Sequence, residues 1–513
     1  MNHSDCTALR AHQTEHTSDK GLAKGRMTLL GCIVLGISCI APVYTLTGAL
    51  GPTVREVGVH LPAIFIVGFI PMLLVAFGYR ELNSHVPDSG TSFTWSTRAF
   101  GPKIGWIGGW GLVTATTVVL SNLAGVAVDF FYLFLAQVSG HPEIEALNSN
   151  LTVNIITCLG FIAIAVWMCC RGITTTKSVQ YVLVTLQLVV LIAFAVTAFH
   201  KASLAPSAHF SLEWFNPFGI SSFSAFTAGL SLSIFIFWGW DVCLTVNEES
   251  VGSDRTPGVA ATLTVLIILA LYLFTAVATL CFAGIGESGY GLGSSAVQSN
   301  VFAQLAGPVM GPLAITMSIA VLASTAASLQ STFVSPARTL LAMGYYCAVP
   351  KRFASIHPHH RTPRFATISA GVAAGIFYTV MRVLSDNVLN DTITALGMMI
   401  CFYYSLTAFA CVWYFRASLF THIRHFILRG LCPFVGGVVL TVIFIQTAID
   451  SWDPAFGSGS EVAGIGLVFV IAFFISLLGL ALMLLSQFSA PAFFLGTTLR
   501  HDSPINEEPE ING

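Results

Sequence analysis

Two short stretches combine residue types that could hold a small charged ligand. Gly36, Ile37, Ser38, Cys39, Ile40, Ala41 and Pro42 put a flexible residue, a hydroxyl, a thiol and a proline without an amide donor inside one apolar run. Phe235, Ile236, Phe237, Trp238, Gly239, Trp240 and Asp241 put a carboxylate and bulky aromatics around a glycine inside another. In hydrocarbon an unpaired backbone N–H or C=O is costly, so an interrupted helix is tolerated only where the freed groups are buried in protein or line a cavity. An interruption offers N–H donors and a positive dipole end to a carboxylate, and bare carbonyls to an ammonium group or a cation. A zwitterion fits two such breaks without any charged side chain.

Asp241 is the sharpest single residue, because an ionisable group inside a span is costly and commonly serves a proton or ion pathway. The competing explanation is a hydrated or capping position near the inner end of its helix. Asp129, Glu248 and Glu249 lie nearer span ends and are expected at gates or interfaces. The hydroxyls of Ser324, Thr325, Ser328, Ser331 and Thr332 fall close together in one span, and Ser324 with Thr325 is a candidate cation site. Bonding back to their own helix is the commoner use of such hydroxyls. His357, His359 and His360, like His3, His12, His16 and Cys6 in the amino-terminal tail, lack the spacing of a metal site, and no metal or cofactor is expected.

The elements that must position these groups are membrane helices. Of 513 residues 55% are hydrophobic and only 9% charged, against about a quarter charged in soluble domains. Apolar stretches of about 20 residues recur along the chain. They predict crossings at 27–50, 61–79, 104–136, 151–170, 178–199, 222–245, 257–283, 309–335, 365–383, 392–415, 431–449 and 463–486. Twelve crossings place both termini on one side. With that side inside, Lys and Arg fall on inner loops from Arg10 and Lys20 through Arg171, Arg338 and Arg429 to Arg500, leaving only Arg55, Lys201 and Arg382 outside. Both termini are therefore expected in the cytoplasm of a multi-pass protein of the plasma or inner membrane, with lipid as its main surroundings.

The third crossing is too long for a perpendicular passage and must tilt or protrude. The inner loops 80–103 and 338–364 mix Pro, Gly, aromatics and charge, and predict short interfacial helices and gates. The tails 1–26 and 501–513 predict disorder. Most of the 12 cysteines lie in apolar runs, where a thiol acts as a small hydrophobe, so no disulfides are expected. Basic residues are scattered rather than striped, so no nucleic-acid partner is implied. No Walker A, H-E-x-x-H, G-x-S-x-G or dinucleotide glycine pattern occurs, which argues against a nucleotide-driven pump and against the familiar membrane hydrolases; the chain is not expected to be an enzyme.

Three segments carry a family resemblance. One runs from Arg80-Glu81-Leu82 through Pro87, Asp88, Gly90 and Thr91 to Arg98-Ala99-Phe100-Gly101 and Gly108-Gly109-Trp110; another is FWGWDVCLTVNEES at 237–250; the third is PARTLLAMGYYCAVPKRFASIHPHHRTP at 336–363. From about residue 27 to 485 the chain resembles the amino acid-polyamine-organocation (APC) transporters. The resemblance implies the LeuT-type (APC) fold, all-α and integral to the membrane. A first five-helix repeat at 27–199 and an inverted one at 222–415 would be followed by two additional helices at 431–486 and a tail at 487–513. It further implies broken first and sixth helices, a midplane site and rocking-type alternating access. It puts Asp241 where many members have a glutamate, and Phe235 where an aromatic closes over substrate. Two departures stand out. Tyr345, Tyr346 and Cys347 replace the family's Arg-Asp-Gly, and the fifth span carries Gln187, with Lys177 only at its inner end, where some proton-driven relatives have a lysine.

The expected function is amino acid import coupled to protons. Backbone groups at Gly36, Ile37, Ser38, Cys39, Phe237, Trp238 and Gly239 would hold the substrate beneath Phe235, with Asp241 in the protonation step. An amine carrier or exchanger for polyamine or γ-aminobutyrate, and a transporter-like amino acid sensor, are the alternatives.

Overall fold

The structure is a computed structural model that describes residues 20–384, 388–456 and 459–501. The chain forms helices throughout, apart from a two-residue hairpin pairing Glu461–Val462 with Ile465–Gly466. In order they are α1 (Leu29–Ile40), α2 (Pro42–Val57), α3 (Leu61–His85), α4 (Ser92–Phe100), α5 (Pro102–Ser139), α6 (Leu151–Cys169) and α7 (Ile173–Leu204). Then come α8 (Phe223–Ile236), α9 (Val242–Thr245), α10 (Thr256–Ala283), α11 (Val301–Met310), α12 (Ile315–Thr332), α13 (Val334–Tyr345), α14 (Arg364–Leu384), α15 (Val388–Tyr414), α16 (Cys432–Asp450) and α17 (Leu467–Ser489), with single turns between some of them.

Ten helical stretches among the described residues are long and apolar enough to cross a membrane. The first, Leu29–His85, contains two crossings folded at the turn Gly58–His60, and the sixth crossing is the shorter α8, cut off by its break. All twelve expected crossings are thus accounted for. Their starts follow local rules: Thr28, Asn150 and Ser222 each accept a first-turn N–H with the side chain, and prolines open α2, α5 and α16 where no amide donor is needed. α5, the predicted long third crossing, runs for 38 residues, roughly 57 Å of helix.

The centre of the bundle is crowded and buries polar side chains, among them Asp241, Ser328 and Thr332. The apolar window of α15 is 78% buried, against 22% for α6, so α15 is an inner helix and α6 an outer one. α16 packs on α15 and α3, and α17 on α15 and α5, which makes the last two crossings an outer brace.

Three expectations need correction. The first helix breaks at the single residue Ala41 (φ 53°), while Gly36 to Cys39 stay helical in α1. Pro42 disfavours helical geometry in the residue before it, which locates the break. The amino-terminal tail is not free from Lys20 onward: Lys20 and Leu22 are buried, and Met27 pairs with Ser250. Residues 1–19, with His3, Cys6, His12 and His16, and 502–513 lie outside the described residues. Cys347 is disulfide-bonded, in a turn outside the apolar runs on which the expectation of free thiols rested.

Candidate functional site

The two breaks face each other. Gly239 adopts φ 107°, a region that strains any residue with a Cβ, and a Cβ there would lie 3.1 Å from Cys39 Sγ and 3.3 Å from Ile40 N. On one side of this crossing α1 packs on α9, and on the other α2 packs on α8, as expected of two broken helices running in opposite directions. Gly36 is the packing point on the α1 side, where a Cβ would meet Cys243 Sγ and Thr264 Oγ1 at 2.8 Å. It positions the break and does not itself lie in it.

Around the crossing the predicted site residues separate into two groups. Ser38 and Cys39 face α12: Ser38 Oγ donates to Ser331 Oγ (3.2 Å), Cys39 Sγ lies 3.5 Å from Thr332 Oγ1, and Ser328 Oγ donates to the Cys39 carbonyl (2.9 Å). Ile37 is buried beside them. Of the candidate cation ligands, Ser324 accepts the Tyr44 N–H (3.3 Å) and so caps the first turn of α2, whereas Thr325 donates back to the carbonyls of Val321 and Leu322. The hydroxyls that meet the α1 break are instead Ser328, Ser331 and Thr332.

Asp241 belongs to the other group and faces α15. Its carboxylate accepts from Tyr404 Oη (2.9 Å) and Tyr403 Oη (3.4 Å), and Trp238 Nε1 donates to Tyr403 Oη (2.5 Å). Trp240 stacks on Tyr404, and Tyr79 of α3 meets both rings edge-on. This box is buried and sets the Asp241 carboxyl among aromatic rings. Phe235 is buried one turn before the break, and Phe237 packs edge-on against Phe69. Tyr44 Oη and Trp240 Nε1, one beside each break, are buried and have no hydrogen-bond partner among the described residues. Such groups are expected to be met by water or a ligand.

One face of the bundle is closed by ion pairs. Lys20 Nζ reaches Glu248 (2.6 Å) and Asp88 (2.8 Å), Arg338 binds Glu249 (2.5 Å), and Arg429 binds Glu81 (2.7 Å). Burial disfavours the Lys20 charge, but the two carboxylates more than offset it and raise its pKa above the ordinary value. Burial likewise opposes the Asp88 charge, and Lys20 with its hydrogen bonds brings that carboxyl down to about 2. Tyr346, one of the departures noted above, joins this cluster: its phenol donates to Asp88 (2.6 Å). Glu248 and Glu249 are thus both held in ion pairs, and the Glu249 carbonyl also accepts from Arg26 N and Met27 N of the tail. On the opposite face a cavity of about 470 Å³ opens between α2, α8, α15 and α16, lined by Arg55, Glu56, Ser224, Asp450 and Asp453.

Sequence reasoning did not single out Tyr403, Tyr404 or Lys20. The adjacent tyrosines were a signal, since a phenol within an apolar span needs a partner.

Comparisons with known proteins bear on the family and the fold. A family described as "Amino acid permease" matches residues 27–448. Among similar proteins, a vacuolar cationic amino acid transporter 4 of Arabidopsis thaliana is 24% identical over 75% of this chain and 63% of its own length. A branched-chain amino acid permease, BcaP, of Bacillus subtilis is 24% identical over 70% and 76%, and a low-affinity putrescine importer, PlaP, of Escherichia coli is 25% identical over 76% and 81%. The chain spans about three fifths of the length of the plant relatives. In fold it is similar to the crystal structure of MhsT in complex with L-phenylalanine, with a TM-score of 0.56 at 17% identity over 82% of this chain and 97% of that one.

Proposed function

The chain belongs to the amino acid permease family, and on that footing we propose that it is a secondary transporter importing amino acids by alternating access, coupled to protons. The observation that carries this reading is the meeting of the two breaks at Gly239 and Cys39. There the amino end of α2 and the carbonyls of α1 offer a carboxylate and an ammonium group opposite poles. The buried unpartnered groups Tyr44 Oη and Trp240 Nε1 support a polar ligand at the crossing. Asp241 is assigned the protonation step, with Tyr403 and Tyr404 as its hydrogen-bonding partners. The closed ion-pair face and the open cavity opposite fit a state loaded from outside, with the termini and the Lys20 gate in the cytoplasm of a plasma or inner membrane.

A second reading is favoured by the aromatic box. A carboxylate ringed by Trp240, Tyr403 and Tyr404 suits an amine cation, so Asp241 would meet the ammonium of a polyamine directly. Uptake into proteoliposomes of labelled amino acids and polyamines separates the two. Accumulation of amino acids driven by a pH gradient, with the pH dependence abolished in Asp241→Asn, supports the first. Uptake competed by putrescine but not by neutral amino acids supports the second, and accumulation driven only by sodium overturns proton coupling.

A further inference from the structure

Away from the breaks, a groove of about 640 Å³ runs along the lipid side of the bundle between α6 and α14. Its floor is closed by contact of the two helices. A Cβ on Gly371 would lie 2.4 Å from Val166, and one on Gly375 2.9 Å from Leu159, so glycines one turn apart let the backbones approach. The flanks stay open: Trp167 is 58% exposed, Val372 56% and Ile376 61%. The lining is apolar along most of its length and ends at Arg364 and Cys170. Arg171 lies over the Trp167 indole at 4.7 Å beside that end.

The segments that carry the basic end hold no acidic residue. Residues 170–177 and 345–364 contain Arg171, Lys177, Lys351, Arg352, Arg361 and Arg364 and no Asp or Glu. Elsewhere on this face Lys20, Arg338 and Arg429 each hold a buried carboxylate, whereas neither Arg171 nor Arg364 has one within ion-pair distance among the described residues. Among the described residues of this face a second copy of the chain offers little to complement them, because Glu81, Asp88, Glu248 and Glu249 are engaged in those pairs and Asp254 lies 3.7 Å from Arg255. An open apolar groove with an unneutralised cationic end at the membrane surface matches a molecule with an acyl chain and an anionic head.

We propose that the groove between α6 and α14 is a binding site for one anionic phospholipid of the leaflet on the Lys20 face, its phosphate held by Arg171 and Arg364 and an acyl chain lying against Trp167, Val372 and Ile376. A zwitterionic lipid fills the same groove but brings its own ammonium to the two guanidiniums, so the site discriminates by head group. Each basic side chain near an anionic lipid contributes about fivefold to affinity, so the pair is worth roughly 25-fold. The site depends on the embedding of α6 and α14 in a bilayer and not on which substrate is carried.

The test uses the full chain in phosphatidylcholine vesicles doped with phosphatidylglycerol brominated on its acyl chain, which quenches nearby indoles. Trp167 fluorescence is taken as the difference from Trp167→Phe. The expected result is half-quenching at a mole fraction of brominated phosphatidylglycerol about 25-fold below that of brominated phosphatidylcholine. The preference should vanish in Arg171→Gln/Arg364→Gln and persist in Arg171→Lys/Arg364→Lys. Equal quenching by the two lipids, or an unchanged preference in the glutamine variant, overturns the proposal. So does loss of the preference on adding millimolar inorganic phosphate, which would assign the arginines to a free anion. Protection of Trp167 from both lipids also overturns it, since that would mean the face is covered by another protein copy.

Discussion

Replacing Lys20 by Met keeps the length of the stem and removes the charge that closes one face of the bundle. Asp88 would still accept from Gly90 N (2.8 Å), Thr94 Oγ1 (2.7 Å) and Tyr346 Oη (2.6 Å), and Glu248 from Ser89 N (2.9 Å). Taking one partner from a buried pair costs about 3–5 kcal/mol when the other is left alone. The donors that remain bring the expected loss to about 2–3 kcal/mol, which weakens docking of the Lys20 segment by roughly 30- to 150-fold. The docked segment is read directly by hydrogen exchange. The amide of Met27 donates to the Glu249 carbonyl and that of Val251 to the Met27 carbonyl, so both exchange only when the segment lifts. Their protection should fall by that factor in Lys20→Met, with amides in the middle of α5 unchanged. Adding Glu248→Gln should restore at least part of it by removing the unpaired charge. Protection within threefold of the parent chain would refute the reasoning and reduce the Lys20 contacts to a surface detail.

The same pair fixes a pH window. Asp88, held at about 2 against an ordinary value near 4, contributes stability that is present above about pH 4 and lost as pH falls through 4 to 2. Lys20, raised above its ordinary value, contributes stability fully present below about pH 10 and lost only at higher pH. Docking measured by exchange should therefore be flat from about pH 5 to 9 once intrinsic rates are corrected, and a change near pH 6 would contradict the pairing. Gly239→Ala puts a Cβ at φ 107° and 3.1 Å from Cys39 Sγ, and should lower substrate affinity at least tenfold while the protein still inserts, as read by equilibrium binding. Tyr404→Phe removes the 2.9 Å hydrogen bond to Asp241 and should cost about 1.5–3 kcal/mol of stability in detergent; in the Asp241→Asn background the same change should cost less than half as much.

The crossings were legible because hydropathy over about 20 residues is a property of the local sequence. So was the sixth break, where Gly239 among aromatics marks a position at which other residues are strained. The first break falls at Ala41, inside the stretch 36–42 that the sequence marked, but at its end and not among Gly36 to Cys39. Gly36 looked permissive, but its lack of a side chain serves the contact with Cys243 and Thr264, and the stronger signal was Pro42 acting on Ala41. Which hydroxyls of α12 reach α1 depends on how the two helices are rotated against each other, and the sequence of α12 alone does not contain that angle. The role of Lys20 was hidden for a similar reason: its partner Glu248 lies 228 residues away, and a lysine in a polar tail gives no sign of being buried.

The hydroxyls of α12 make that helix a graduated rail for the broken one. Ser324 holds the start of α2, and Ser328 and Ser331 hold the end of α1, at intervals of four and three residues, or about 6 and 4.5 Å along the axis. Each grip is a single neutral hydrogen bond, worth about 1 kcal/mol net. Were α1 to slide along α12 while α2 stayed fixed, each grip released would find the next hydroxyl about a turn away, so the spacing of the serines would set the step of any such movement about Ala41.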